Sequence, residues 1–278
     1  MNGIKSVELA SRALIKCDRA GDLFEELERR VGQWNRAHQV MAPSRSPHDG
    51  PPRLEMFRPN LVESPPLEQW ESIFHDGVHN LRVALDNFCA DLCHLEGKPA
   101  KAARMYFPIV QHPNDWPTKA EGLTSMPAQV LERIRECQAW ARSTGSSPDP
   151  LTFISSIDNA DKHKGFGVSM DTLPLPQLHT REMARLPPEL ENAVEWPLVP
   201  WVRITLTPPP DRGTGMMIPI DLYPTVQFNG KQAPVADVQR WLHSEVRRTI
   251  QFIASGAWPP VSNTVKFFEQ PNPHLPTL

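Results

Sequence analysis

An α+β fold is what the sequence predicts: a helical bundle with a small, largely antiparallel β-sheet inserted before the C-terminal helix. Three observations carry this expectation. Apolar residues recur at helical spacing in four segments of the first 165 residues and again over 235–254. Between 166 and about 228 the apolar period shortens to two. Sixteen of the 31 prolines fall in two blocks, 43–66 and 174–210, which leaves the helix interiors nearly free of a residue that removes a backbone donor and blocks the preceding turn. The expected organisation is a bundle over 1–165 with a proline-rich connection at 41–66, a β-rich insertion over 166–230, and a C-terminal helix and tail over 231–278.

The first helix, about 6–37, follows from Ala13, Cys17, Ala20, Phe24, Leu27, Val31 and Trp34, an unbroken four-three alternation that forms one apolar seam. Seven prolines between Met41 and Pro66 exclude a helix there and leave one short extended piece, Arg53 to Phe57. A second helix runs from Leu67 to about Leu95, with Phe74, Gly77, Leu81, Leu85, Phe88 and Leu92 on its buried stripe. A third, Pro127 to Ala141, turns Val130, Leu131, Ile134, Cys137 and Ala141 inward and has Pro127 near its first turn. The fourth, from Asp149 or Pro150 to Lys164, turns Leu151, Ile154 and Ile157 inward and stops at Gly165. Alternating residues then predict strands at Val202–Thr207 and Met217–Leu222, and a third at Phe166–Met170. The last helix, Val235 to Ala254, carries Val235, Val238, Leu242, Val246, Ile250 and Ile253 on one stripe, with Gly256 just past its end and a proline-punctuated surface tail beyond Trp258.

Lys and Arg number 29 against 32 Asp and Glu, and a cut after Gly165 leaves both parts near neutrality, so the linear sequence shows no strong signal for duplex nucleic acid. There is no export-signal pattern at the N-terminus and no apolar run of membrane-spanning length, so a cytoplasmic protein without membrane contact is expected. Cys17, Cys89, Cys93 and Cys137 lie in helical patterns without a Cys-x-x-Cys pair, which predicts buried free thiols. No motif calls for a cofactor, and the phosphate-cradle, nucleophile-elbow and zincin signatures are all missing.

Two polar clusters stand out. The second helix bears His75, His79, Arg82 and Asp86 on one stripe. Two histidines four apart can share a metal, but a third ligand is missing from the helix, and Arg82 with Asp86 makes an i,i+4 pair. The plain account is the wet side of an amphipathic helix. Asn80 and Asn87 at the seam margin read as hydrogen-bonded structural amides. The fourth helix ends Asp158-Asn159-Ala160-Asp161-Lys162-His163-Lys164. Its cations complement the helix dipole, whereas Asp161 continues the apolar stripe and, as a buried carboxylate, needs a partner. Contact of Asp161 with Arg82 or His79 would merge the clusters into one site.

His79-Asn80-Leu81-Arg82-Val83-Ala84-Leu85-Asp86, then Phe107-Pro108-Ile109, then Asn159-Ala160-Asp161-Lys162-His163 resemble a group of uncharacterised bacterial proteins with HNLRxALD, FPI and N-x-DKH segments. A looser similarity is to HEPN helical domains, many of them metal-independent ribonucleases with an Arg four to six residues before a catalytic His. That similarity implies acid-base roles for His79 or His163, charge stabilisation by Arg82, and RNA as substrate. The chain departs from the HEPN pattern, since Asp158 and Asn159 stand where the Arg before His163 belongs. The expected function is therefore a non-enzymatic interaction or ligand-binding protein whose partner is unassigned and whose binding residues are His75, Asn80, Asp86, Asn159, Asp161 and Lys162. The alternative is a HEPN-like ribonuclease or other phosphodiester hydrolase using His79, Arg82 and His163.

Overall fold

The computed structural model describes residues 2–38, 40–44, 54–57, 65–95, 105–142, 148–164, 170–176, 202–205, 216–228, 231–261, 265 and 268–269. Within them the chain is mostly helical, with a small antiparallel strand component. The helices are α1 (Asn2–Ala37), α2 (Leu67–Cys93), α3 (Trp116–Ala120), α4 (Ala128–Glu136), α5 (Pro150–Lys164) and α6 (Val235–Ser255). The strands are β1 (Val40–Ser44), β2 (Leu54–Phe57), β3 (Met170–Pro176), β4 (Val202–Thr205), β5 (Met216–Phe228), β6 (Lys231–Pro234) and β7 (Phe268–Glu269). Among the described residues, no helix is long and apolar enough to cross a membrane.

The chain divides into two compact units. The first comprises Met1–Leu27, Glu71–Val168 and Ala236–Val265, and the second Glu28–Trp70, Ser169–Val235 and Lys266–Leu278. Each takes residues from well-separated parts of the sequence. In the second unit every pairing is antiparallel: β5 pairs with β1, β3 and β6, β6 pairs with β7, and β2 pairs with β4. The proline blocks therefore contain strands as well as connections, and the sheet is not confined to the expected insertion. Of the expected third strand, Phe166–Met170, only Met170 is among the described residues, where it opens a strand that runs on through Pro174 and Pro176, and β5 continues past Leu222 across Pro224 to Phe228. Proline removes ladder donors without forbidding extended backbone. Still in this unit, Trp34 stacks on His38 at 4.6 Å and meets Trp70 edge-on at 6.2 Å.

The first unit is built on the apolar stripes of its helices. Ala13, Cys17, Ala20, Phe24 and Leu27 of α1 are buried, as are Phe74, Leu81, Leu85, Phe88 and Leu92 of α2, and Leu151, Ile154 and Ile157 of α5. Asp149 caps α5, its carboxylate accepting the Thr152 N–H at 2.9 Å, with Pro150 at the first helical position. The expected stop at Gly165 lies outside the described residues. In α6 the stripe Val238, Leu242, Val246, Ile250 and Ile253 is fully buried. The helix closes at Gly256, whose φ of 83° and N–H bond to the Phe252 carbonyl at 2.7 Å make a left-handed cap. Arg133 of α4 donates to the terminal carbonyls of Ile253 and Ala254 at 2.9 and 3.3 Å, covering acceptors that a helix end leaves open. Helix α4 itself stops at Glu136, earlier than the apolar spacing suggests, so Ala141 falls in the following turn and is exposed. Beyond α6, Trp258 stacks on Phe252 at 4.1 Å beneath the guanidiniums of Arg142 and Arg248, both of which pair with buried Glu245.

All four cysteines are buried and free. Burial pushes the Cys17 and Cys137 thiols up to about 12, so these two are unreactive at neutral pH. Among the contacts between α1 and its neighbours, two bear directly on stability. Gly77 of α2 lies under Phe24, and a Cβ there would stand closer than 3.0 Å to three carbons of the ring. His243 of α6 donates Nε2–H to the Cys17 carbonyl at 3.1 Å, and burial holds its ring below the usual imidazole value, with Arg247 adding to the effect.

Gly77→Ala is expected to destabilise the protein by about 1–3 kcal/mol in urea unfolding, although alanine is intrinsically the better helix former by roughly 1 kcal/mol, because a packed ring has nowhere to go. His243 generates a pH dependence of defined sign. Its depressed pKa means that the unfolded chain takes up a proton which the folded chain resists, so stability falls as pH drops through about 6.5 toward the folded value. Urea titrations at pH 7.5 and 5.5 should show that loss in the native sequence and a smaller one in His243→Gln.

Candidate functional site

The candidate site lies wholly in the first unit and begins with three residues of α2. His79, Arg82 and Asp86, at spacings of three and four, share one face of the helix. Arg82 and Asp86 form a tight pair: Nε donates to Oδ2 at 3.1 Å and Nη2 lies 2.9 Å from Oδ1. The same two side chains hold the main chain of Phe107. Its N–H donates to Asp86 Oδ1 at 2.9 Å, and its carbonyl accepts from Arg82 Nη2 at 2.8 Å. A few residues on, the Val110 N–H donates to the Gln138 side-chain carbonyl at 2.9 Å, and the Gln138 amide in turn donates to the Ile134 carbonyl. Residues 106–110 form no helix or strand, so their buried polar groups depend on partners from elsewhere. Asp86, Arg82 and Gln138 supply them.

This docking sorts the side chains of the link. Phe107 is 1% exposed and Pro108 is buried, whereas Tyr106 is 66% exposed. Burial pushes the Asp86 carboxyl up, and Arg82 together with the Phe107 N–H opposes that. The link, α2, α3 and α5 enclose an open cleft of about 550 Å³. Its lining comprises Arg82 and Asp86 from α2, Tyr106 to Ile109 from the link, Thr118 and Lys119 from α3, and Ser155 and Asp158 from α5. At its edge the half-exposed His79 donates Nδ1–H to buried Asp158 at 2.9 Å. A carboxylate only accepts, so this bond places a proton on Nδ1.

The two polar clusters of the sequence are thus joined, and the joining carboxylate is Asp158, three residues before Asp161. The side chains of Asn159, Asp161, Lys162 and His163 lie outside the described residues, although their backbone belongs to α5. His75 departs from the expected polar stripe. It is 5% exposed, edge-on to Phe74 and 3.9 Å from Glu71, and it is not among the residues lining the cleft. His75 and His79 stand one turn apart on α2, yet the first is buried and the second half-exposed, so helical phase alone does not set exposure. Asn80 donates to the Asp76 carbonyl one turn back, outside the cleft, and Asn87 is exposed instead of forming a buried link. Among the described residues no group of three or more His, Cys, Asp or Glu side chains converges on a metal position.

Sequence reasoning missed Tyr106, Thr118, Lys119 and Ser155. A signal for α3 was present in Pro113 and Pro117, which stand at the starts of a 3-10 turn and of α3, where proline is favoured. Comparison of the chain with protein-family models, with curated proteins and with solved structures finds no match.

Arg82→Ala should lower stability by about 2 kcal/mol or more, because it strands the Asp86 carboxylate and the Phe107 carbonyl in a largely buried place. Asp86→Asn keeps the shape but weakens the acceptor. Hydrogen exchange read at the Phe107 amide should quicken in both variants, while the amides of α6 keep their native protection relative to global unfolding.

Proposed function

We propose that the protein is a non-enzymatic ligand-binding protein and that the cleft is its binding site, with the Arg82–Asp86 pair as the frame that shapes one wall. The observation that supports this reading is the commitment of Arg82. Its Nε and Nη2 atoms are both engaged by Asp86 and the Phe107 carbonyl, and the adjoining carboxylate offsets its charge. A guanidinium so engaged holds a link in place and is poorly disposed to stabilise a developing phosphate charge. The cleft volume, about 550 Å³, falls in the range of small-molecule sites, and polar groups and ring surfaces both line it.

The second reading, a HEPN-like phosphodiester hydrolase, draws its support from the Asp158–His79 pair, since a carboxylate on Nδ1 orients the ring and leaves Nε2 as a general base. The two readings separate in one set of measurements. Titration of the isotope-labelled protein with a panel of small organic acids, amines and sugars should move amide resonances of the link and α3, and Thr118→Trp should abolish those shifts at an unchanged melting temperature. Incubation with a fluorogenic single-stranded RNA should give no cleavage. Cleavage lost in His79→Ala at an unchanged melting temperature would establish the hydrolase instead, and a panel that moves no cleft resonance would sink the binding reading.

A further inference from the structure

We infer that the ligand is a small monoanion carried on a flat, ring-containing body, an inference that rests on the reading of the cleft as a ligand site. The charges lining the cleft are not equally available. Asp86 is saturated by two atoms of Arg82 and by the Phe107 N–H. Asp158 accepts from His79. Lys119, exposed on α3, has no acidic partner among the described residues, and Arg82 Nη1 likewise makes no hydrogen bond among them. Among the described residues the cleft therefore offers an incoming molecule one uncommitted ammonium, with a guanidinium edge in the same lining. An ammonium is a compact donor for a carboxylate or phosphate head.

The rest of the lining decides the body. Tyr106 presents its ring at 66% exposure, and Pro108 and Ile109 continue the apolar wall beside it. An exposed aromatic ring on a fixed backbone gives a flat ligand a stacking surface at small entropic loss. The fixing is done by the adjacent residue, because the Phe107 main chain is bonded on both sides to Arg82 and Asp86. A polyanion is disfavoured in the same place. Two carboxylates line the cleft, and the one uncommitted ammonium among the described lining residues cannot offset a row of phosphates.

Three probes test the class: indole-3-acetate, with ring and charge; indole-3-acetamide, with the ring and no charge; and acetate, with charge and no ring. Titrated against the full chain and read at the amide resonances of the link and α3, indole-3-acetate should bind roughly tenfold tighter than either of the others. Lys119→Met, which keeps the stem at an exposed position, should erase the advantage of the acid over the amide while leaving amide binding unchanged. Tyr106→Ala should weaken both indoles by a similar factor, with melting temperatures confirming that both variants fold. Equal affinity for acid and amide, or an acid preference that survives Lys119→Met, overturns the anion. Indifference of both indoles to Tyr106→Ala overturns the flat body. In each of these cases a bound probe in the cleft leaves the ligand-binding reading standing, and that reading falls only if no compound of the wider panel moves a cleft resonance.

Discussion

The fastening of the Phe107 main chain by Arg82 and Asp86 is the constraint from which the rest of the site follows. A non-repetitive segment cannot bury its peptide groups unless something takes the place of a ladder. Here a helix surface does so, with one anionic acceptor for the N–H and one cationic donor for the carbonyl, spaced four residues apart so that they also satisfy each other. With that peptide fixed, Phe107 lies in the core while Tyr106, at the bend just before it, faces out. The wall of the cleft is thus a by-product of a hydrogen-bonding requirement. The same arrangement explains why burial and pairing pull the Asp86 carboxyl in opposite directions.

The helical stripes were legible because they are long and regular. The α1 seam, the α2 stripe from Phe74 to Leu92 and the α6 stripe are buried where the spacing places them. Ala141 shows where periodicity misleads: apolar spacing continues after the helix hydrogen bonds have stopped at Glu136. The strands of the proline blocks were harder to see, because proline argues against a ladder donor but not against extended backbone, and pairing partners are set by tertiary structure. β1 pairs with residues far along the chain, 180 positions on in the case of Val40 and Ile220.

The site was half legible. The HNLRxALD and FPI segments, which read as separate motifs, are two sides of one set of hydrogen bonds, and this gives their residue types a physical reason. His75 was misread, and the bond of Asp158 to His79 was not foreseen, for a common cause. Helical phase assigns a residue to a face, but whether that face is covered, and by which residue of the opposing helix, depends on where the partner crosses. His75 is covered and His79 is not, though they stand one turn apart. Lys119 and Tyr106 carry no periodic signal at all, and only their convergence on the cleft brings them into view.

The two sets of hydrogen bonds at the cleft differ in the length of chain they close. Phe107 is 21 residues from Asp86 and 25 from Arg82, whereas His79 and Asp158 are 79 apart. Loop-closure entropy grows by about 0.6 kcal/mol per doubling of loop length, so the longer closure is disfavoured by roughly 1 kcal/mol relative to the shorter. It also awaits residues that leave the ribosome later. The near wall is therefore the less costly of the two to close, and the His79 bond carries the larger entropic cost. The entropic cost of closing the cleft is thus divided unequally between its two sides, with the smaller share on the frame of Arg82, Asp86 and Phe107.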